Sequence, residues 1–230
     1  MKLLLFILTF FVCSQSFAII TQVNDLELIE QTTQQLTPQD LVLFDIDWTI
    51  IIAEDPLLRP CGAHLLAKLK KEILDKDGQV DLHLSRIWNE SKYTLVDPKI
   101  LTLIHNLQKR NIPTMGLTGI RTGKMGVIPN LEDWRLEQLQ QQNIDFSHSY
   151  PTITFPEFPA PPPIFKHGVL FTSWNSKGTV LVGLLKKLDF TPCKVIFVDD
   201  HLEYIETVEA AMHDLGIEFH GFHYKGALPP

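Results

Sequence analysis

The sequence predicts a doubly wound α/β fold built on a mainly parallel sheet. Three apolar runs carry this expectation: LVLFD at 41–45, IPTMGLT at 112–118 and KVIFVDD at 194–200. A strand covered by helices on both faces reads as an unbroken apolar run, because neither face meets water. Between these runs lie segments whose apolar residues recur at three and four positions, the spacing of an amphipathic helix. Buried strands alternating with such helices describe a doubly wound α/β sheet. The chain has 230 residues, of which 45% are hydrophobic, enough apolar mass for one domain core.

Taken in order, the first 18 residues, MKLLLFILTFFVCSQSFA, have the form of a secretory signal. Lys2 is a short positive start, Leu3 to Val12 an apolar run, and Ser16-Phe17-Ala18 a small-x-small cleavage site. The run is too short to span a bilayer. This predicts a secreted or periplasmic protein, cut after Ala18, with residues 19–230 as its folded domain and no membrane span after the leader.

Residues from about 20 to 36 put Val23, Leu26, Leu28 and Ile29 at helical spacing and predict an amphipathic helix. The LVLFD strand follows. Then 68 residues separate Thr49 from Thr118. Leu65, Leu66, Leu69 and Ile73 mark one helix there, and Leu82, Leu84, Ile87 and Trp88 a second. Together they are the candidate for a small helical cap inserted at about 55–95. Asp97-Pro98 opens another helix, with Ile100, Leu101, Leu103, Ile104 and Leu107 as its apolar face. It leads into the second strand.

A helix over about 131–142 comes next. The proline-rich TFPEFPAPPP predicts a loop or edge element, since proline cannot donate to a ladder. IFKHGVLFT predicts a strand, and KGTVLVGLLKKL a helix. After the third strand, a helix over about 202–215 ends at Gly216, a usual C-terminal stop. IEFHGFHY is the expected last strand.

The formal net charge is −7, so neither nucleic acid nor an anionic membrane, both of which need clustered cations, is expected as the main partner. Beyond the leader the cysteines are Cys61 and Cys193. The first falls above the carboxyl ends of the strands and the second at the opposite edge. Strands separate those edges by roughly 17–20 Å, which forbids a disulfide.

The chemistry sits at strand ends. Asp45 and Asp47, Thr118, and Asp199 and Asp200 follow apolar strands, and Lys177 opens a helix. In open α/β sheets ligands bind at the carboxyl ends of the strands. Several carboxylates meeting there repel one another, which a divalent cation with oxygen ligands relieves, and Mg²⁺ suits that donor set. For any one of these residues the ordinary alternative is a cap or a solvated helix residue; the case rests on their joint arrangement.

These residues resemble the four motifs of the haloacid dehalogenase (HAD) superfamily: FDIDWT at 44–49, GLTG around Thr118, SKG around Lys177 and FVDD at 197–200, in order over roughly 160 residues. The resemblance implies a HAD-type phosphatase, a hydrolase acting on phosphoric esters. Asp45 is the implied nucleophile, forming an aspartyl-phosphate, and Asp47 the implied general acid and base. The implied Mg²⁺ ligands are Asp45, the Asp47 backbone carbonyl, and Asp199 or Asp200. The phosphoryl group would meet Thr118, the Gly119 backbone N–H and Lys177.

An acid two positions after the nucleophile is carried by the phosphatases and phosphotransferases of this superfamily and not by its dehalogenases. The leader, the helix before FDID and the short insert also resemble an uncharacterised secreted HAD-like family of intracellular bacteria. None of this names the phosphorylated substrate.

Two positions depart from the pattern. Trp48 stands where related motifs hold Asn or Gly, and either walls the pocket or packs below it. Glu203 stands where the fourth motif often has another acid or Asn, and is expected to support the metal ligands from behind. Arg121 either reaches the substrate or is a surface residue. His201 lies near the site, with His220 and His223 on the last strand. Two other readings stay open: a phosphotransferase, or a catalytically silent secreted binding protein. A receiver domain is excluded, because its acidic pair would come first.

Overall fold

The computed structural model describes residues 18–147 and 150–228; the leader expected over 1–18 lies outside them but for Ala18. The first element is strand β1 (Ala18–Val23), followed by the short helix α1 (Glu27–Thr33). This corrects the expected helix over 20–36. Val23 does not serve a helix face: it lies on β1, which pairs in parallel with the last strand at the sheet's edge, and Val23, Leu26 and Ile29 face the core while Leu28 is exposed.

The central strand β2 (Leu41–Phe44) is wholly buried. After it come β3 (Ile51–Ala53), two single 3₁₀ turns, helices α2 (Ala63–Lys76) and α3 (Val80–Glu90), and β4 (Tyr93–Leu95). β3 and β4 pair antiparallel as a separate two-stranded ribbon, the neck from which the two helices project. Two helices lie where the sequence predicts two, within about 55–95. The ribbon was not expected, because three-residue strands give no period to read.

Helix α4 (Lys99–Lys109) leads to β5 (Thr114–Thr118), and α5 (Leu131–Gln141) follows. The proline tract lies beside an edge strand, β6 (Ile153–Thr154). IFKHGVLFT is not one strand but a hairpin, β7 (Ile164–Lys166) and β8 (Val169–Phe171). The chain reverses at His167 and Gly168, both at positive φ, and a Cβ on Gly168 would collide with the Phe146 carbonyl at 1.9 Å. Helix α6 (Lys177–Lys187), β9 (Lys194–Asp199), α7 (Leu202–Asp214) and β10 (Glu218–Tyr224) complete the chain.

The main sheet has the order β1-β10-β9-β2-β5-β8-β7-β6. Its first six strands are mutually parallel, and β7 and β6 finish it antiparallel. Alternate residues of β2 divide two cores. Val42 and Phe44 join the apolar residues of α1, α4 and α5, while Leu41 and Leu43 join those of α6 and α7. Helices thus cover both faces, which is why the strands read as unbroken apolar runs. From β2 the chain winds outward through β5 and β8, then returns to the other side of β2 through β9 and β10. β2 therefore sits at the switch in winding direction, where such sheets open a crevice at their carboxyl ends. No helix among the described residues is long and apolar enough to cross a membrane. Cys61 and Cys193 are both free thiols.

Candidate active site

Three strands deliver the predicted residues to one place. Asp45 follows β2, Thr118 ends β5 and Asp199 ends β9, and the sheet register pairs Phe44 with Val198 and with Gly116. The Asp45 N–H still donates to the Val198 carbonyl at 2.9 Å, so the ladder fixes the acid's position. The chain then turns tightly. The N–H groups of Ile50 and Ile51 both donate to the Ile46 carbonyl (2.9 and 3.0 Å), and the Trp48 N–H donates to Ile51 (2.8 Å). This turn carries Asp47 and Trp48 to the wall of a cleft of about 270 Å³, which Asp45, Thr118, Gly119, Asp200 and His201 also line.

Behind Asp45, the Lys177 ammonium donates to Asp45 at 2.5 Å and to Asp199 at 2.7 Å. Lys177 is 1% exposed and Asp199 0%. The lysine is held there by Gly178: a Cβ at that position would meet the Thr207 carbonyl at 2.0 Å, so only glycine lets α6 start this close to α7. Carboxylate oxygens of Asp45, Asp199 and Asp200 lie within 4.8 Å of one another, an arrangement able to hold a metal ion. Two ammonium groups, Lys177 and the Lys225 bonded to the Asp200 carbonyl, face three carboxylates there. That excess of negative charge on hard oxygen donors fits a divalent cation.

The electrostatics report the same crowding. Burial pushes the Asp45 carboxyl well above the usual carboxylate range; Lys177 opposes the rise, and Asp199 and Asp200 add to it. Asp200 is pushed up to about 7, by burial first and then by Asp199. Burial alone would lower Lys177, but the Asp199 and Asp45 carboxylates outweigh it and raise the ammonium's pKa.

Asp47 lines the cleft, but its carboxylate stands outside the metal-type cluster and accepts from Arg135 of α5 at 2.6 Å. Its backbone carbonyl is what it can offer a cation. Arg135 is a residue that sequence reasoning missed. It is buried, also bonded to Gln138, and stacked against Tyr93 (4.7 Å) and Trp134 (4.5 Å). A signal existed: Glu132, Arg135 and Gln138 form a polar stripe, three residues apart, that α5 buries.

Among the described residues, the buried side-chain polar atoms without a hydrogen-bond partner are Thr49 Oγ1, Arg135 Nε and Thr172 Oγ1. Native proteins leave few such atoms. Arg135 bonds Asp47, Thr49 follows Asp47 by two residues, and Thr172 donates its N–H to the Thr118 carbonyl, so all three flank this site. The Thr118 hydroxyl oxygen accepts from the Ile120 N–H at 3.2 Å, and its own O–H remains a donor.

The other sequence candidates fall as follows. Trp48 is part of the wall: its indole N–H donates to the Leu58 carbonyl at 3.0 Å and its ring stacks on His201 at 6.0 Å. Glu203 is an exposed residue of the first turn of α7, not a support behind the ligands, because the helix turns that position to solvent. Arg121 bonds Asp81 of α3 at 3.0 Å and so ties the insert to the loop after β5. The His223 Nε2–H donates to the Asp200 backbone carbonyl at 3.0 Å, and His220 stacks on Phe222.

Residues 22–228 match the family described as "protein of unknown function (DUF2608)". The chain belongs to that family. The matched span contains every site residue named above. The chain is also similar to uncharacterized proteins of Rickettsia bellii (strain RML369-C), at 26% identity over 97% of this chain and 83% of that one, and of Rickettsia felis (strain ATCC VR-1525 / URRWXCal2), at 26% over 98% and 83%. A third, from Rickettsia prowazekii (strain Madrid E), is 26% identical over 85% of this chain and 74% of its own. No solved structure matches the chain.

Proposed function

We propose that this chain is a Mg²⁺-dependent phosphomonoesterase of the HAD type, working through an aspartyl-phosphate on Asp45. The observation that carries the reading is that Asp45 belongs at once to the wall of the cleft and to the cluster with Asp199 and Asp200. A carboxylate that both meets a substrate and borders a divalent cation is suited to attack a phosphate ester. The parallel sheet, the switch at β2 and the helical insert between β3 and β4 are consistent with a HAD-like core and small cap.

In this reading Asp45, Asp199, Asp200 and the Asp47 carbonyl would hold Mg²⁺, which would supply positive charge to offset that of the phosphoryl group. An Asp45 oxygen forms a bond to phosphorus as the bond from phosphorus to the leaving oxygen breaks. Asp47 gives that oxygen a proton. Asp47 then takes a proton from water as the water oxygen bonds to phosphorus and the Asp45–phosphorus bond breaks, which releases phosphate and restores both acids. Thr118 and the Gly119 N–H bind phosphoryl oxygens. Lys177, already bonded to Asp45, offsets the negative charge collected at the site. The proposal includes export, which rests on the leader pattern of residues 1–18.

The test is p-nitrophenyl phosphate hydrolysis with Mg²⁺, by the wild type and by Asp45→Asn. The expected result is turnover by the wild type that chelation abolishes and the variant lacks. Equal rates in the two proteins would remove Asp45 from the chemistry.

A further inference from the structure

The cleft that holds the carboxylates is also walled by Trp48, Leu66, Trp88, Tyr93, Trp174 and Tyr204. Such a concentration of rings around one opening buries large apolar area and favours a flat ligand face. Two of these rings are set in unusual backbone. Trp48 has φ 65° and Trp174 φ 64°. The other non-glycine residues with positive φ, among those described, are Asn111, Asn143, His167, Ser173 and Asp189, small or polar side chains.

Bulky residues rarely adopt this region, and where a structure enforces it the strain tends to mark a functional site. Both tryptophans come from turns at the carboxyl ends of strands, after β2 and after β8, and both face the same cleft. Trp174 is 73% exposed, with Arg121 over its ring at 5.5 Å, so core packing does not explain its presence.

Charge narrows the ligand further. The guanidinium in the cleft wall, Arg135, is bonded to Asp47 and enclosed by two rings, and Lys177 is bonded to two carboxylates. Both cations thus already have carboxylate partners, and Arg121, over the Trp174 ring, is bonded to Asp81. The volume of about 270 Å³ admits a phosphoryl group together with a ring system, given that a cavity of about 150 Å³ accepts benzene.

We infer that the substrate is a phosphate monoester whose leaving group carries a flat, uncharged aromatic ring system, seated against the indoles of Trp48 and Trp174. This rests on the phosphomonoesterase reading and names its substrate class.

The test compares 2-naphthylmethyl phosphate with ethyl phosphate, both esters of primary alcohols, so that leaving-group reactivity does not decide the outcome. In the wild type, kcat/KM for the naphthylmethyl ester should exceed that for the ethyl ester by about tenfold or more, the worth of one stacked and buried ring. Trp174→Gly removes the ring and relieves the positive φ, so the fold is kept. It should cut that ratio about fivefold to tenfold, and Trp174→Phe should restore most of it. A ratio near one in the wild type, or an unchanged ratio in Trp174→Gly, would overturn the inference. Calorimetric titration with 2-naphthylmethylphosphonate separates the two claims. If the wild type hydrolyses neither ester yet binds the phosphonate, and Trp174→Gly binds it more weakly, the aromatic site stands and the hydrolase reading falls. If the wild type does not bind it, the aromatic site falls.

Discussion

Asp200 shows how one residue carries the cost of the site. Its ordinary value of 3.8 is pushed up to about 7 in the folded, metal-free protein, so the folded state holds a proton that the unfolded chain releases. Stability from this group is complete below 3.8 and is lost as pH rises through 7. Metal-free protein should therefore show a Tm that falls between about pH 4 and pH 7, and Asp200→Asn should flatten that slope. Mg²⁺ should raise the wild-type Tm more at pH 8 than at pH 5, because protons and cation compete for the same oxygens. An equal Mg²⁺ effect at both values would speak against Asp200 as a ligand. Arg135 makes a second claim at this scale. It holds Asp47 by one ion pair and is itself fixed by rings. Arg135→Met should lower kcat by about 10²-fold through misplacement of Asp47; steady-state kinetics with an unchanged circular dichroism spectrum would check it.

At the level of elements, α6 and α7 matter most, since their close approach sets Lys177. Gly178→Ala would drive a methyl into the Thr207 carbonyl. Overpacking of this kind costs about 1–3 kcal/mol. Urea denaturation should show that loss, together with weaker activity as Lys177 shifts from Asp45. The insert is tied down by the same logic. The Ser85 hydroxyl of α3 accepts from the Val127 N–H at 2.9 Å, and Gly126 has no room for a Cβ beside Ser85 and the Asp81 carbonyl. The long helices and the buried strands were legible in the sequence because each meets one uniform environment. β1 was not, since an edge strand with one partner has no such pattern, and its sequence shares a helical period with α1. The β3–β4 ribbon and the β7–β8 hairpin were too short for periodicity, and the turn at His167-Gly168 lay inside what reads as one apolar run.

For the whole molecule, six residues far apart in the chain meet because β2 lies where the winding direction changes. Asp45, Asp47, Thr118, Lys177, Asp199 and Asp200 could be read from the sequence because each follows a strand or opens a helix. Arg135 and Trp174 were not assigned: the polar stripe of α5 puts Arg135 on one face with Glu132 and Gln138 but does not say what that face meets, and a tryptophan in a turn has no local signature; their partners come from other parts of the chain. The central claim is that Asp45 takes up the phosphoryl group. The most direct measurement is acid quenching during turnover of a phosphate ester with Mg²⁺, followed by peptide mass spectrometry. The account predicts one phosphoryl group on the peptide holding Asp45, absent in Asp45→Asn. Turnover that leaves this peptide unmodified, with the variant as active as the wild type, would contradict it.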